Sequence, residues 1–98
     1  MAKQISPVNV WVTGEVKVAE YLEVTGIYDN YQSAARNEWQ IFTMNVDSEG
    51  VESVGELVSK SNLDINGQDY INWGDQPAMA INEWIYDWVA QQLNLTIV

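Results

Sequence analysis

The chain has 98 residues, with 14 Asp and Glu against 4 Lys and Arg for a formal net charge of −10, and it contains neither cysteine nor histidine. That composition excludes a disulfide framework, a thiol nucleophile, thiolate metal sites and the Ser-His-Asp triad, and its acidity repels phosphate backbones and anionic lipid. A hydrophobic content of 47% with 11% aromatics is nevertheless enough for a packed core, so a single domain over residues 1–98 is expected.

The N-terminal residues lack an apolar run behind a basic region, and no stretch approaches the roughly 20 apolar residues that cross a bilayer. A soluble protein made in the cytoplasm without a secretory signal is the expectation. Residues 1–7 form a polar lead ending at Pro7. Val8, Val10 and Val12 then alternate with Asn9, Trp11 and Thr13, the pattern of a strand. Thr13-Gly14-Glu15 turns the chain, and Val16, Val18, Leu22 and Val24 resume on one face, broken only by Glu20.

The polar, aperiodic stretch from Asp29 to Glu38 predicts a loop. Trp39 to Asp47 alternates again, with Phe42, Met44 and Val46 on one side and Trp39 and Ile41 on the other. Asp47-Ser48-Glu49-Gly50 has the short acceptors and the glycine of a turn. A fourth strand then places Leu57, Leu63 and Ile65 opposite Glu56, Val58, Lys60 and Asp64. At Asn66-Gly67 a capped helical turn is expected, Asn66 accepting from the amide of Asp69 and Gly74 ending the turn.

The last segment carries the strongest helical signal. Asp75 or Gln76 would cap a helix with Pro77 just inside its start. Ile81, Trp84, Ile85, Trp88 and Val89 form its apolar face, Glu83, Tyr86, Asp87 and Ala90 lie opposite, and Asn94 stops it. The expected fold is therefore α+β: an antiparallel meander sheet of about four strands, with one C-terminal amphipathic helix packed on one face.

Candidate chemistry is sparse. Paired carboxylates could hydrolyse a glycoside when about 5 to 9.5 Å apart in a cleft, but the acids here are scattered without an apolar surround, so no catalytic residue is assigned and a non-enzyme is expected. Asp64 to Asp69 faintly suggests a calcium loop, yet lacks its spacing, and a strand-to-helix cap explains the same residues with fewer assumptions, so no metal and no cofactor are expected. The five tryptophans suit both core and interface. Trp84 and Trp88 belong to the core. Trp11, Tyr28, Tyr31, Arg36, Trp39 and the tail residues Ile97 and Val98 are interface candidates.

The segments Gly67-Gln68-Asp69-Tyr70-Ile71-Asn72-Trp73-Gly74-Asp75 and Trp88-Val89-Ala90-Gln91-Gln92-Leu93-Asn94-Leu95 resemble small phage-encoded proteins. Those carry a G-x-D-Y-x-x-W-G-D segment followed by W-V-x-x-Q-L-x-L-T, and they are often found among virion structural genes. The resemblance covers residues 57–98, with Pro77 to Ile81 where relatives place a tyrosine, and it identifies a strand, turn and helix instead of functional side chains. It implies a phage virion accessory or assembly protein of a capsid, connector, tail or baseplate, located in the virion. Its partners would be other virion proteins or further copies of itself, without direct nucleic-acid or membrane binding. The alternative is an acidic anti-defence inhibitor of a host nuclease or nucleic-acid-guided complex.

Overall fold

The computed structural model describes residues 2–29, 32–77 and 80–98. Strands β1 (Lys3–Val12), β2 (Glu15–Asp29), β3 (Ala34–Val46) and β4 (Glu52–Asn66) lie side by side in chain order, each antiparallel to the next. Helices α1 (Gly67–Gly74) and α2 (Ile81–Gln92) follow. The chain is α+β, with an open four-stranded meander. β2 and β4 have 15 residues each, about 50 Å at the usual rise per residue, and they set the longest dimension of 46 Å.

Both tight turns follow from local chemistry. Thr13 and Gly14 have φ of 46° and 86°, the pair of positive values that a two-residue type I′ hairpin requires. Between β3 and β4 the Asp47 carboxylate accepts from the amides of Glu49 (2.8 Å) and Val51 (2.9 Å), and Gly50 takes φ 80°. At the end of α2 Asn94 adopts φ 59°. The Leu95 amide donates to Ala90 O (2.8 Å) and the Asn94 amide to Gln91 O (3.3 Å), so a Schellman motif stops the helix.

Several boundaries differ from those expected. The lead before Pro7 is strand, because Lys3 and Gln4 pair with Leu22 and Tyr21 of β2 and the C-terminal tail lies along it: Ser6 N donates to Thr96 O (2.8 Å), Val98 N to Gln4 O (3.0 Å), and Ile5 bridges Ile97. Pro7 falls in the register shift between Gln4 and Val8, where a missing donor breaks no ladder. Residues 34–38 continue β3 instead of a loop, held by pairing with β4 from Ala34↔Asn66 to Glu38↔Asn62. Val58 is buried instead of outward-facing. Bulges at Ile41/Phe42 and Phe42/Met44 change the parity of β4, which strict alternation cannot anticipate.

The helical segment is also divided differently. α2 begins at Ile81, with Ala80 at its N-cap and no side-chain cap. Pro77 stays outside, its carbonyl accepting from Ala80 N at 2.8 Å. Asn66 makes no capping hydrogen bond to α1. Tyr86 and Ala90 are buried rather than opposite the core, and Trp84 is only partly buried.

Ile85, Tyr86, Trp88, Val89 and Ala90 of α2 belong to the same buried cluster as Ile5, Ala19, Leu22, Ala35, Ile41, Val58 and Ile65 of the strands. The register puts Leu22 beside Ile41, Val24 beside Trp39 and Ala35 beside Ile65. The Tyr86 hydroxyl accepts from Val24 N at 3.1 Å. Burial raises the phenol pKa above its ordinary 10.0, since the anion loses hydration. A group held protonated by the fold gives stability that is complete below its unfolded pKa and lost as pH climbs through the folded value. Absorbance titration should show one late-ionising tyrosine, absent in Tyr86→Phe, and chemical-denaturation stability should decline above about pH 10 in the native chain more than in that variant.

Candidate functional site

The β2–β3 ladder ends at Tyr21↔Phe42. Beyond it the β1–β2 and β3–β4 hairpins continue separately to Val12↔Glu15 and Val46↔Glu52. These paired extensions lie at the end of the sheet away from the β2–β3 connection and from α1, which follows the far end of β4. Lys17 bridges them through an ion pair with Glu56, assisted by Glu15, and these hydrogen-bonded carboxylates raise the lysine's pKa.

Large apolar side chains are exposed on this end. Trp11 is 71% accessible and pairs across strands with Val16, itself 57% accessible. Val18, Val46, Val51, Val54 and Leu57 are also exposed. Glu15, Asp47, Glu49, Glu52 and Glu56 are exposed around them. Trp11, Val16 and Val18 share one face of the β1–β2 hairpin, and the other exposed apolar side chains here belong to the β3–β4 hairpin and its turn.

The exposure has a geometric cause. Trp11, Val16 and Val18 lie on the face of the β1–β2 hairpin opposite Val8, Val10 and Val12, which pack against the core, and opposite buried Ala19, the partner of Val8. Alternation groups Val16 and Val18 with Leu22, yet Leu22 and Ala19 are both buried while Val16 and Val18 are exposed.

The other candidates are dispersed. Trp39 is partly buried against the core cluster. Arg36, exposed on β3, donates through Nε to Asp64 Oδ1 (2.8 Å) and through Nη2 to Oδ2 (3.3 Å). Tyr28 sits opposite Arg36 in the ladder, and Tyr31 lies outside the described residues. Ile97 is half-buried against the core, while Val98 is 76% exposed. Among the described candidates only Trp11 lies within the apolar end.

The Arg36 guanidinium holds the Asp64 carboxyl below its ordinary range, chiefly by hydrogen bonding. A depressed carboxyl gives stability present above its unfolded pKa and lost as pH falls through the folded value. The carboxyl resonance of Asp64 is expected to titrate below the usual aspartate midpoint and to return to it in Arg36→Ala. Asp69, the other end of the calcium-like stretch, accepts from Trp88 Nε1 at 3.2 Å. Among the described residues no group of three or more acidic side chains converges on a possible metal position, and no helix is long and apolar enough to cross a membrane.

The chain matches no family model, no curated protein and no solved structure.

Proposed function

We propose that this is a non-enzymatic phage virion accessory or assembly protein that works by protein contacts through the free end of its two hairpins. In this reading α2 closes one face of the helix-proximal half of the sheet and stabilises the module, leaving the distal half for a partner. The observation that carries it is the exposed pair Trp11 and Val16 with their apolar neighbours. A tryptophan anchor contributes large contact area at small entropic cost, and repetition in a symmetric particle multiplies a weak contact. The virion setting is supported by the resemblance of the C-terminal segments.

Light scattering across protein concentration, at low and at moderate salt, tests this. Mass should rise with concentration, change little with salt and fall back in Trp11→Ala. A strict monomer that also ignores Trp11→Ala in binding to disassembled virion proteins overturns the proposal. The acidic residues around the apolar end favour a second reading, the inhibitor that engages a basic channel. In that case association with host protein should weaken steeply with salt and with Glu20→Lys.

A further inference from the structure

Sheet and helices border a partly open cavity of about 390 Å³, lined on the sheet side by Val24, Gly26 and Asn37 and on the helical side by Trp73, Ile85 and Tyr86. This is within the range of roughly 300 to 1,000 Å³ typical of small-molecule sites, which combine apolar walls with a few placed polar groups.

Asn37 is such a group. It is 4% exposed, and its Nδ2 is the one buried side-chain polar atom among the described residues without a hydrogen-bond partner. Buried amides are ordinarily satisfied, so an unused donor on a residue that lines a cavity points to an acceptor supplied from outside. The polar groups of Trp73 and Tyr86 beside it are engaged. Trp73 Nε1 donates to Ile81 O (3.3 Å), and the Tyr86 hydroxyl accepts from Val24 N (3.1 Å).

Gly26 faces Asn37 across the ladder, and a Cβ there would stand 3.8 Å from Asn37 Oδ1. Glycine thus keeps open the space beside the carboxamide, and a half-turn about the soft χ2 of asparagine exchanges Oδ1 for Nδ2 toward that space.

The charges select the ligand. Lys3 and Glu83 also line the cavity, with Nζ and Oε1 4.0 Å apart and the ammonium 5.3 Å from the Tyr86 ring centroid. They offset each other. An anion would meet Glu83 and a cation Lys3, whereas a neutral group meets neither penalty. We propose that the cavity binds an uncharged apolar group carrying a carbonyl acceptor, the chemistry of an aromatic or aliphatic carboxamide, with Asn37 Nδ2 as the recognising donor.

The test is an NMR titration of the isotope-labelled full chain with two probes, phenylacetamide and N-acetyl-phenylalaninamide. The Asn37 side-chain NH₂ signals should shift saturably at millimolar probe. Asn37→Leu should weaken binding about tenfold by removing the donor, and it should unfold at higher temperature than the native chain because a buried orphan is gone. Gly26→Val should abolish binding by filling the space, which provides an independent variant should Asn37→Leu misfold. Equal binding of the two probes assigns the site to a free small molecule, and preference for the peptide-like probe assigns it to a side chain of a protein partner. Absence of any shift at Asn37, or undiminished binding in both variants, overturns the proposal.

Discussion

Trp88→Ala is expected to cost about 3 to 5 kcal/mol of folding stability, the usual penalty for truncating a buried aromatic to alanine. Trp88 is 9% exposed and lies in the cluster with Ile85, Val89 and the strand residues. Its indole nitrogen also donates to the Asp69 carboxylate at 3.2 Å, tying α2 to α1. Truncation would remove the ring area from the core, leave a cavity that the sheet cannot collapse to fill, and release α1 from that tie. Domains of this size commonly have about 5 to 15 kcal/mol in total, so the variant would be near the edge of folding. Urea denaturation with an unchanged m-value would measure the loss. A loss below about 1 kcal/mol would show that this helical face is not buried. Trp11→Ala is the matched control: the same substitution at an exposed ring should change stability by no more than about 0.5 kcal/mol, because nothing in the isolated chain covers it.

The contrast between these tryptophans shows which parts of the molecule were legible in the sequence. Period-2 alternation around Val8–Val12, Val16–Val24 and Trp39–Val46 carries the strands, and Thr13-Gly14 and Asp47–Gly50 carry the turns, because these are local steric and hydrogen-bonding preferences. Ile5 was not legible as core. Its burial depends on residues 96–98 returning to pair with β1, a contact across almost the whole chain. Val58 was hidden by bulges that exist only in the pairing of two strands. Tyr86 reads as polar until its hydroxyl finds the Val24 amide.

The candidate site divides the same way. Trp11 was recognisable from its place opposite the valines, but its grouping with Val16 and Val18 depends on the register of the β1–β2 hairpin. Tyr28 was suggested by its place beside the expected loop, and the ladder pairs it with Arg36 at the opposite end from Trp11. Asn37 gave no signal, since it sits in a stretch that reads as polar loop and becomes strand only when β4 pairs with it.

Gly55→Ala is expected to destabilise the protein by about 1 to 3 kcal/mol, the range for forcing extra volume into a filled space, although alanine ordinarily improves on glycine within a strand. A Cβ at Gly55 would lie 2.3 Å from Thr43 Oγ1, 2.9 Å from Thr43 O and 3.1 Å from Asn45 Oδ1. The threonine side chain could rotate away, but the carbonyl is backbone and must move with its strand. Rotation would also remove the acceptor for the Glu56 amide, which donates to Thr43 Oγ1 at 2.9 Å. The β3–β4 bulge therefore opens, and Glu56 is displaced from its ion pair with Lys17. Gly26→Ala supplies the opposite sign: its Cβ meets only an ordinary contact at 3.8 Å without a positive φ, so it should gain about 0.4 to 1 kcal/mol through the unfolded chain. Hydrogen exchange would locate the damage in Gly55→Ala, with faster exchange from Thr43 to Leu57 and unchanged protection in α2. Such a chain keeps its helix-proximal core and loses the shape of its free end, so its association should fall as it does in Trp11→Ala. Full association with a disordered β3–β4 hairpin would instead assign the contact to the β1–β2 hairpin alone.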